Sequence, residues 1–293
     1  MTDLAQIRLG LIGWPLGHSL SPFLHHYLLK ESNQMGCYHA FEIKKEQLTE
    51  AVQGLQTLGF KGFNVTIPYK QLIMSHLDEI SEEAQWIGAV NTVLIKNSKR
   101  YGFNTDGRAF NLALQNKQIN PAGKTAIVLG AGGAARAVIL SLVKNRIHKI
   151  EIFNRTLKRA EQLTEEISKT TNFKNLSIKK LQESKITRSL ESVQLIINAT
   201  ALGMWPEIET APYSFNSEFK HLTAIDLVYN PLETKFLKNA QAAGAKIVDG
   251  LDMFIFQGRE SLNIWTENKM GFDFNLDEIR TYLIEKLKNY EQS

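Results

Sequence analysis

A glycine-rich segment in the middle of the chain constrains its fold more than any other feature. Residues Thr125–Leu129 form an apolar run typical of a buried strand, and Gly130–Ala135 then have the sequence G-A-G-G-A-A before a helical segment begins. This is the G-x-G-x-x-A form of the dinucleotide-binding turn. Gly130 permits a tight turn, Gly132 lets backbone N–H groups approach a diphosphate, and Ala135 keeps the helix close to the sheet. We therefore predict a Rossmann-type unit that binds a dinucleotide, with a ligand-free strand–helix turn as the alternative.

The end of the next strand indicates which dinucleotide is bound. An NAD site usually has Asp or Glu there, because a carboxylate holds the ribose hydroxyls. Here the strand ends in Asn154-Arg155-Thr156, followed by Lys158 and Arg159. A carboxylate would repel a 2′-phosphate, whereas a guanidinium and a hydroxyl bind one. The sequence therefore favours NADP over NAD. The alternative is a helix with Thr156 as its N-cap and arginines that face solvent.

Strands and helices alternate along most of the chain, which predicts two α/β domains. The first has strands over 7–12, 38–43 and 62–67, helices over 45–58 and 71–87, and a hairpin over 89–103. Ser21 as N-cap and Pro22 as first helical residue predict one further helix. We predict a mostly parallel substrate-binding and catalytic domain over 1–106, completed by C-terminal helices over 251–293. A doubly wound, Rossmann-type NADP-binding domain covers 107–250.

Composition narrows the function classes. The chain has 293 residues, 43% of them hydrophobic, a net charge of +4 and one cysteine, Cys37. The basic residues over 169–185, and Lys286 with Lys288, are interpreted as solvated faces, so nucleic-acid binding is not expected. One cysteine and scattered histidines disfavour a metal site. Residues 1–10 include Asp3 and no long apolar run, and no apolar stretch reaches ~18 residues. We therefore expect a cytoplasmic protein with no membrane contact.

Polar residues follow several strands of the first domain. They stand in four clusters: Gly13–Pro22, Asn64–Lys70, Ala89–Thr92 and Asn104–Gly107. Ligands of open α/β sheets bind beyond the carboxyl ends of the strands, so hydroxyls, amides, one ammonium and one carboxylate are expected to converge there. Such a set suits a small, hydroxylated acid. Taken singly, each residue has an ordinary alternative as a helix cap, a strand end, a turn or an exposed lysine.

These motifs closely resemble the shikimate dehydrogenase family, from about Gly10 to Leu287. The elements H-S-x-S-P, N-V-T-x-P-x-K, G-A-V-N-T, N-T-D-G, G-A-G-G-A and N-R-T-x-x-R begin at His18, Asn64, Gly88, Asn104, Gly130 and Asn154. Further matches are Asn198–Thr200 with Gly203-Met204, Asp226–Pro231 and Gly250–Gln257. Two departures stand out. Ala201 and Leu202 follow Thr200, where Ser is common first, and His26 stands where Asn is usual.

The resemblance implies a role for each matched residue. Ser19 and Ser21 would hold the carboxylate of the substrate. Its ring hydroxyls and carboxylate would contact Thr66, Lys70, Asn91, Asp106, Tyr229 and Gln257. Leu227 and Gly250 would line the nicotinamide side, and Glu82 matches a position sometimes assigned to the cofactor. The cofactor-binding residues would be Gly130, Ala131, Gly132, Gly133, Ala134, Asn154, Arg155, Thr156, Arg159, Thr200, Leu227, Gly250 and Glu82.

The resemblance also implies a reaction, the reversible reduction of 3-dehydroshikimate to shikimate with NADPH on the chorismate route to aromatic amino acids. An alkoxide forms as hydride arrives, and Lys70 is the expected proton donor, oriented by Asp106. The two act jointly, and which of them owns the proton stays open. The alternatives are a quinate/shikimate dehydrogenase that uses NAD, a non-catalytic NADP- or metabolite-sensing module, and an NADP enzyme for an amino acid or folate. Oligomeric state stays open, a homodimer included.

Overall fold

The computed structural model describes residues 6–17, 19–267 and 274–291, and its internal contacts divide the chain into two compact units. Unit 1 consists of residues 1–105 and 255–293, and unit 2 consists of residues 106–254. His18, the first residue of the H-S-x-S-P motif, lies outside the described residues. No helix within the described ranges is both long and apolar enough to cross a membrane.

Unit 1 is built on a six-stranded mixed sheet. Its elements are β1 Ile7–Gly13, α1 Ser21–Glu31, β2 Gly36–Glu42, α2 Leu48–Thr57, β3 Gly62–Val65, β4 Glu79–Ile80, α3 Glu82–Ile87, β5 Thr92–Lys96 and β6 Lys99–Phe103. The strand order is β2-β1-β3-β5-β6-β4. β1 is parallel to β2 and β3, and β4 is parallel to β6, whereas β5 is antiparallel to both β3 and β6. The carboxyl ends of β1 and β3 therefore lie side by side at one edge of the sheet.

Unit 2 is built on a six-stranded sheet in which every pairing is parallel. Its elements are α4 Asp106–Asn116, β7 Thr125–Leu129, α5 Gly133–Lys144, β8 Lys149–Asn154, α6 Leu157–Thr171, β9 Leu176–Lys180, α7 Glu183–Leu190, β10 Leu195–Asn198, β11 Thr223–Asp226, α8 Lys235–Ala242 and β12 Lys246–Val248. The order β12-β11-β10-β7-β8-β9 reverses direction between β7 and β10. This is the doubly wound Rossmann arrangement, in which ligands bind at the point of reversal.

Two further helices complete the chain. α9 over Leu251–Trp265 begins in unit 2 and continues into unit 1, and α10 over Leu276–Glu291 belongs to unit 1. The later part of α9 packs against the sheet of unit 1. Trp265 is fully buried there and its Nε1 donates a hydrogen bond to Val93 O at 2.9 Å. The helix can approach so closely because β3 begins with Gly62, where a Cβ atom would overlap both Trp265 Nε1 and Val93 O. Trp265 thus fits a space left by Gly62, about 200 positions earlier in the sequence.

Several predicted elements are corrected by the structure. Helical sequence over 71–87 is wrong as one element, because a short 3-10 turn over Leu72–His76 gives way to β4, whose pairing with β6 depends on residues far along the chain. Ser21 is not the N-cap of α1; it is already helical, and the N-cap is Leu20. The predicted strand over 62–67 ends at Val65. The sequence analysis did not predict β9, α7 or α8.

The close contact at Gly62 predicts a large effect of one added methyl group. Replacing Gly62 with Ala is expected to lower the free energy of unfolding by roughly 2–3 kcal/mol, because the methyl group must displace the Trp265 ring or the Val93 carbonyl. Urea denaturation measures the change. Gly54→Ala is the matched control, because Gly54 lies within α2 with no atom near its missing Cβ, and the change should stabilise by about 0.5–1 kcal/mol. Equal effects of the two substitutions would contradict this account of the packing.

Candidate active site

The carboxyl ends of β1 and β3 are joined by backbone hydrogen bonds. Thr66 N donates to Ile12 O at 3.0 Å, and Trp14 N donates to Ile67 O at 3.0 Å. Gly13 leaves room for the Thr66 methyl group, which a Cβ atom at position 13 would overlap. The half-buried Thr66 side chain is thereby fixed beside the end of β1. The structure therefore brings together the first two of the four polar clusters that the sequence analysis identified.

The segment between β1 and α1 places both candidate serines. Leu16 N donates to Glu42 Oε1 at 2.5 Å, and Ser19 N donates to Leu16 O at 2.8 Å. Ser21 N in turn donates to Ser19 Oγ at 3.3 Å. The Ser19 hydroxyl thus accepts from the backbone N–H of the first residue of α1, whereas the Ser21 side chain, predicted as the N-cap, does not cap the helix. Ser21 itself is buried at the start of α1, where the N-terminal end of a helix favours negative charge.

Lys70 is held by its backbone at the end of the N-V-T-x-P-x-K motif. Its neighbour Tyr69 is buried and donates a hydrogen bond from its hydroxyl to Ile43 O at 2.5 Å. The Lys70 carbonyl accepts from Val90 N at 2.7 Å, one residue before Asn91. The lysine side chain is half-buried. Lys70 and Asn91, which lie 21 positions apart in the sequence, are thus on adjoining segments of unit 1.

A buried network of polar side chains surrounds Asn64. Its Nδ2 lies 3.0 Å from Asn91 O, 3.1 Å from Thr92 Oγ1 and 3.0 Å from Ser261 Oγ, and its Oδ1 accepts from Tyr38 Oη at 2.8 Å. Ser261 Oγ donates to the carbonyl of Gln257 at 2.9 Å, one helical turn earlier in α9. The network therefore links the backbones of two candidate substrate residues, Asn91 and Gln257, to β3.

The Asn91 side chain has its own partners in this network. Its Oδ1 accepts from Thr105 N at 2.9 Å and from Thr92 Oγ1 at 2.9 Å, and its Nδ2 donates to Thr105 Oγ1 at 3.0 Å. These bonds fix which end of the amide is the donor. Asp106, the next residue after Thr105, is the buried first residue of α4 and belongs to unit 2.

Two histidines of α1 support Tyr38 in the network. His25 is fully buried and stacks on the Tyr38 ring, with centroids 4.2 Å apart. Burial lowers the pKa of His25 to about 3, so its ring is neutral and acts as a core aromatic. His26, at a position where the sequence analysis noted a departure from the family, accepts a hydrogen bond from Tyr38 N at 3.3 Å through its Nε2.

In unit 2 the glycine loop has the geometry that a diphosphate needs. Gly130 has φ of +110°, and a Cβ atom there would stand 3.0 Å from Ala199 O at the end of β10. At Gly132, by contrast, no atom lies within 4 Å of the missing Cβ. Gly132 is the N-cap of α5, and no side chain caps that helix end. The first-turn N–H groups of α5 therefore border open space, which fits a bound diphosphate.

The end of β8 is open to solvent and rich in positive charge. Asn154 is half-buried and its Nδ2 donates to Thr156 O at 2.8 Å, which fixes the turn into α6. Arg155, Thr156 and Arg159 are exposed. Thr156 is the N-cap of α6, as the alternative interpretation held, but its hydroxyl makes no capping bond. The hydroxyl and both guanidinium groups therefore remain available to a 2′-phosphate.

A buried carboxylate joins the two loops that carry the other candidate cofactor residues of unit 2. Asp226 Oδ1 accepts from Asn198 Nδ2 at 2.9 Å and from Val228 N at 3.0 Å, and Oδ2 accepts from Thr234 Oγ1 at 2.6 Å. The Asn198 Oδ1 accepts from both N and Oγ1 of Thr200, at 3.0 and 2.7 Å. One carboxylate thus sets the positions of the loop after β10 and the loop after β11.

The loop after β11 continues through Leu227 and Tyr229. Gly250 approaches it closely, since a Cβ atom at position 250 would stand 2.6 Å from Leu227 O. Tyr229 stacks on Phe254, with ring centroids 4.2 Å apart and an interplanar angle of 27°. Glu82, in contrast, is exposed in the first turn of α3 in unit 1, away from the glycine loop in the sequence and in the other unit.

Sequence reasoning missed the groups that position the site. Asn64, Asn198 and Asp226 stand inside recognised motifs, yet their buried hydrogen bonds were not anticipated. A signal was present, because each interrupts or ends a run of buried apolar residues in a strand. A buried polar group must find hydrogen-bonding partners. Ser261 and Thr234 gave no such signal in the sequence, because neither lies in an apolar strand.

The fold and the loop together define a Rossmann-type dinucleotide-binding protein with a second, polar α/β unit. Residues 11–93 match the family model of the shikimate dehydrogenase substrate binding domain, and residues 111–205 match that of shikimate / quinate 5-dehydrogenase. A relative from Bacillus subtilis, a shikimate dehydrogenase (NADP(+)), is 40% identical over 283 residues, which is 96% of this chain and 98% of the relative. The chain belongs to the shikimate dehydrogenase family.

Solved structures agree with this assignment. A shikimate dehydrogenase in complex with NADP+ has a TM-score of 0.88 and 39% identity, and covers 98% of each chain. The Thermus thermophilus enzyme, in complex with NADP(H) and shikimate, has a TM-score of 0.82 and 34% identity over 95% of this chain and 98% of its own. A 5-ketofructose reductase of Gluconobacter has a TM-score of 0.81 and 30% identity over 97% of this chain and 99% of its own.

The buried carboxylate of Asp226 makes stability depend on pH. Burial raises its pKa from 3.8 to about 6, against the hydrogen bonds from Thr234, Val228 N and Asn198. The folded protein therefore keeps this proton up to about pH 6, whereas the unfolded chain loses it near 3.8. Protonation favours the folded state, so this contribution to stability grows as pH falls from 7 to 4.

Asp226→Asn removes that dependence, because an amide does not titrate. Between pH 7 and pH 4 the free energy of unfolding of the wild type should rise relative to the variant by about 2 kcal/mol. Urea denaturation followed by circular dichroism at the two pH values measures this difference. A difference that stays constant with pH would show that the Asp226 carboxyl has the same pKa in the folded and unfolded states.

Proposed function

We propose that this protein catalyses the reversible, NADP-dependent reduction of 3-dehydroshikimate to shikimate, a step towards chorismate and the aromatic amino acids. The observation that carries the proposal is the end of β8. Its Asn-Arg-Thr turn offers guanidinium, hydroxyl and amide groups and no carboxylate, which suits a 2′-phosphate. Relatives named shikimate dehydrogenase (NADP(+)), and a similar structure that holds NADP(H) and shikimate, support the same reaction.

The two units have different tasks in this proposal. Unit 1 supplies most of the substrate groups, with Ser19 and Ser21 at the carboxylate. Ring hydroxyls and carboxylate are contacted by Thr66, Lys70, Asn91, Asp106, Tyr229 and Gln257. Unit 2 holds the cofactor through Gly130–Ala134, Asn154–Thr156, Arg159, Thr200, Leu227 and Gly250. The predicted domains, 1–106 with 251–293 and 107–250, follow this division between substrate binding and cofactor binding. Glu82 is assigned to the cofactor by resemblance alone.

Bound NADPH would supply the hydride, and the chain supplies position, charge and a proton. The Lys70–Asp106 pair supplies the proton to the oxygen on which negative charge develops. Asp106 orients the ammonium and accepts a hydrogen bond from the neighbouring hydroxyl. The backbone hydrogen bond at Lys70 O and the side-chain hydrogen bond from Tyr69 Oη support this role, because they fix the base of a flexible side chain. Lys70 and Asp106 act as a pair, and the proton is not assigned to one of them.

Turnover tests the proposal directly. Purified protein with shikimate and NADP should produce the reduced cofactor, followed by its absorbance. Quinate with NAD tests the alternative suggested by the name shikimate / quinate 5-dehydrogenase, and 5-ketofructose with NADPH tests the substrate of the Gluconobacter relative. Turnover with none of these substrates would favour the sensing module, in which a proton donor has no use.

Loss of the acid/base group should affect the chemical step. Lys70→Ala is expected to lower kcat by ~10²–10⁴-fold while KM for shikimate changes little, because general acid–base catalysis contributes about that much. Lys99→Ala is the matched control, since Lys99 forms an exposed ion pair with Glu79, and its kcat should stay near the wild-type value. Near-normal kcat in the Lys70 variant would refute its role.

Arg155 should discriminate the two dinucleotides. Arg155→Ala is expected to raise KM for NADP by roughly 10-fold or more with little change for NAD, because only NADP carries the phosphate that the guanidinium binds. Lys169→Ala, at the opposite end of α6, is the control for a lost surface charge. If the Arg155 variant raises both KM values equally, the guanidinium does not bind the 2′-phosphate.

We further infer a cytoplasmic location, which fits the proposed biosynthetic step. A homodimer stays a prediction, and light scattering of the purified protein would decide it.

A further inference from the structure

We propose that Lys180, at the end of β9, is a further specificity-determining residue that binds the 2′-phosphate of NADP beside Arg155 and Arg159. The inference deepens the proposed function and rests on its choice of NADP. Lys180 belongs to the basic run over 169–185, which from the sequence alone is expected to be a solvated face. The sheet register of unit 2 indicates that Lys180 also lies beside the Asn-Arg-Thr turn.

Lys180 is the residue on β9 that pairs with Asn154 on β8. The register of the two parallel strands runs from Ile150 with Leu176 to Asn154 with Lys180. It is maintained beyond the last pair, because Leu181 N donates to Asn154 O at 3.1 Å. Neighbouring strands lie ~4.8 Å apart, so the Lys180 backbone stands directly beside the start of the Asn-Arg-Thr turn.

The side chain of Lys180 leaves the sheet on the same side as that of Asn154. Paired residues of neighbouring strands share a face, and successive residues alternate between faces. The preceding Lys179 points to the other face, where its Nζ contacts Glu151 at 2.7 Å and Ser189 of α7 at 2.8 Å. Lys180 therefore lies on the face opposite α7. The helix that packs on both β8 and β9 from there is α6, whose first turn carries Arg159.

Charge distinguishes the two lysines. Lys179 neutralises the buried carboxylate of Glu151, for which burial raises the pKa but hydrogen bonds from Lys149, Lys179 and Ser189 bring it down to about 2. Lys180 is exposed and, like Arg155 and Arg159, forms no ion pair within the described part of the chain. Lys179 thus stabilises the buried Glu151 carboxylate, whereas Lys180 forms no such ion pair in the described part of the chain.

Arg155, Arg159 and Lys180 lie after β8, in the first turn of α6 and at the end of β9. These three cations, which form no ion pair in the described part of the chain, match a dianionic group. A 2′-phosphate carries up to two negative charges and three acceptor oxygens, which exceeds what Arg155 alone can neutralise. The ammonium of Lys180 is a mobile point charge on a four-carbon stem, suited to reach such a group from the neighbouring strand. A ribose hydroxyl, as in NAD, offers it no charge. Lys180 should therefore act on NADP and leave NAD binding unchanged.

Calorimetric titration of the full-length protein with adenosine 2′,5′-bisphosphate and with adenosine 5′-monophosphate tests this directly, because the two probes differ by the 2′-phosphate. Lys180→Ala should weaken binding of the bisphosphate about five- to tenfold and leave the monophosphate within about twofold. Lys180→Arg should restore most of the loss. Lys174→Ala is the matched control, an exposed lysine just before the other end of β9, and should change neither affinity.

Three outcomes would overturn the inference. Unchanged bisphosphate affinity in Lys180→Ala, with discrimination lost in Arg155→Ala, would refute Lys180 alone and leave the NADP proposal intact. Equal weakening of both probes would indicate a structural role for Lys180. A wild-type protein that does not distinguish the two probes would refute both the Lys180 inference and the choice of NADP. In the turnover assay, support requires that Lys180→Ala raise KM for NADP without lowering kcat.

Discussion

One buried amide, that of Asn64, determines how unit 1 can present its polar residues. It is enclosed by Tyr38 of β2, by Asn91 and Thr92 at the start of β5, and by Ser261 of α9. An amide buried without partners would cost about 1–3 kcal/mol, so these elements must meet in one arrangement to satisfy it. The arrangement that does so also fixes Asn91 and, through Ser261, the turn of α9 that carries Gln257. Specific geometry at the strand ends is therefore a consequence of hydrogen-bond satisfaction in the core.

In unit 2 the buried carboxylate of Asp226 has the positioning role that the Asn64 amide has in unit 1. Asp226 accepts hydrogen bonds from Asn198, Val228 and Thr234, and so fixes two loops of unit 2. A carboxylate accepts more bonds than an amide, but burial disfavours its ionised form, as its raised pKa records. The central buried group is thus a neutral amide in unit 1 and an ionisable carboxylate in unit 2. Of these two groups, only the carboxylate titrates with pH.

The sequence predicted the parts of the fold that local pattern controls. The strand, glycine turn and helix from Thr125 onward follow from an apolar run and backbone sterics, and the structure confirms them as β7 and α5. The local sequence pattern did not predict β4 or β9. Neither strand contains a continuous apolar run, since β4 has only two residues and β9 has the sequence L-S-I-K-K, and each forms by pairing with a strand more than 20 positions away. The same limit hid the positioning groups, since Asn64 and Ser261 are 197 positions apart.

The contact of Trp265 with Gly62 and Val93 has a consequence for how the protein is made. Unit 2 is one continuous stretch of chain, whereas unit 1 is assembled from both ends of the sequence. Synthesis proceeds from the N-terminus, so all residues of unit 2 have been added before Ser261 and Trp265 exist. Until then the β3–β5 surface and the Asn64 amide lack their partners from α9. Unit 1 therefore cannot pack Gly62 against Trp265, or complete the hydrogen bonds of the Asn64 amide, until α9 has been translated.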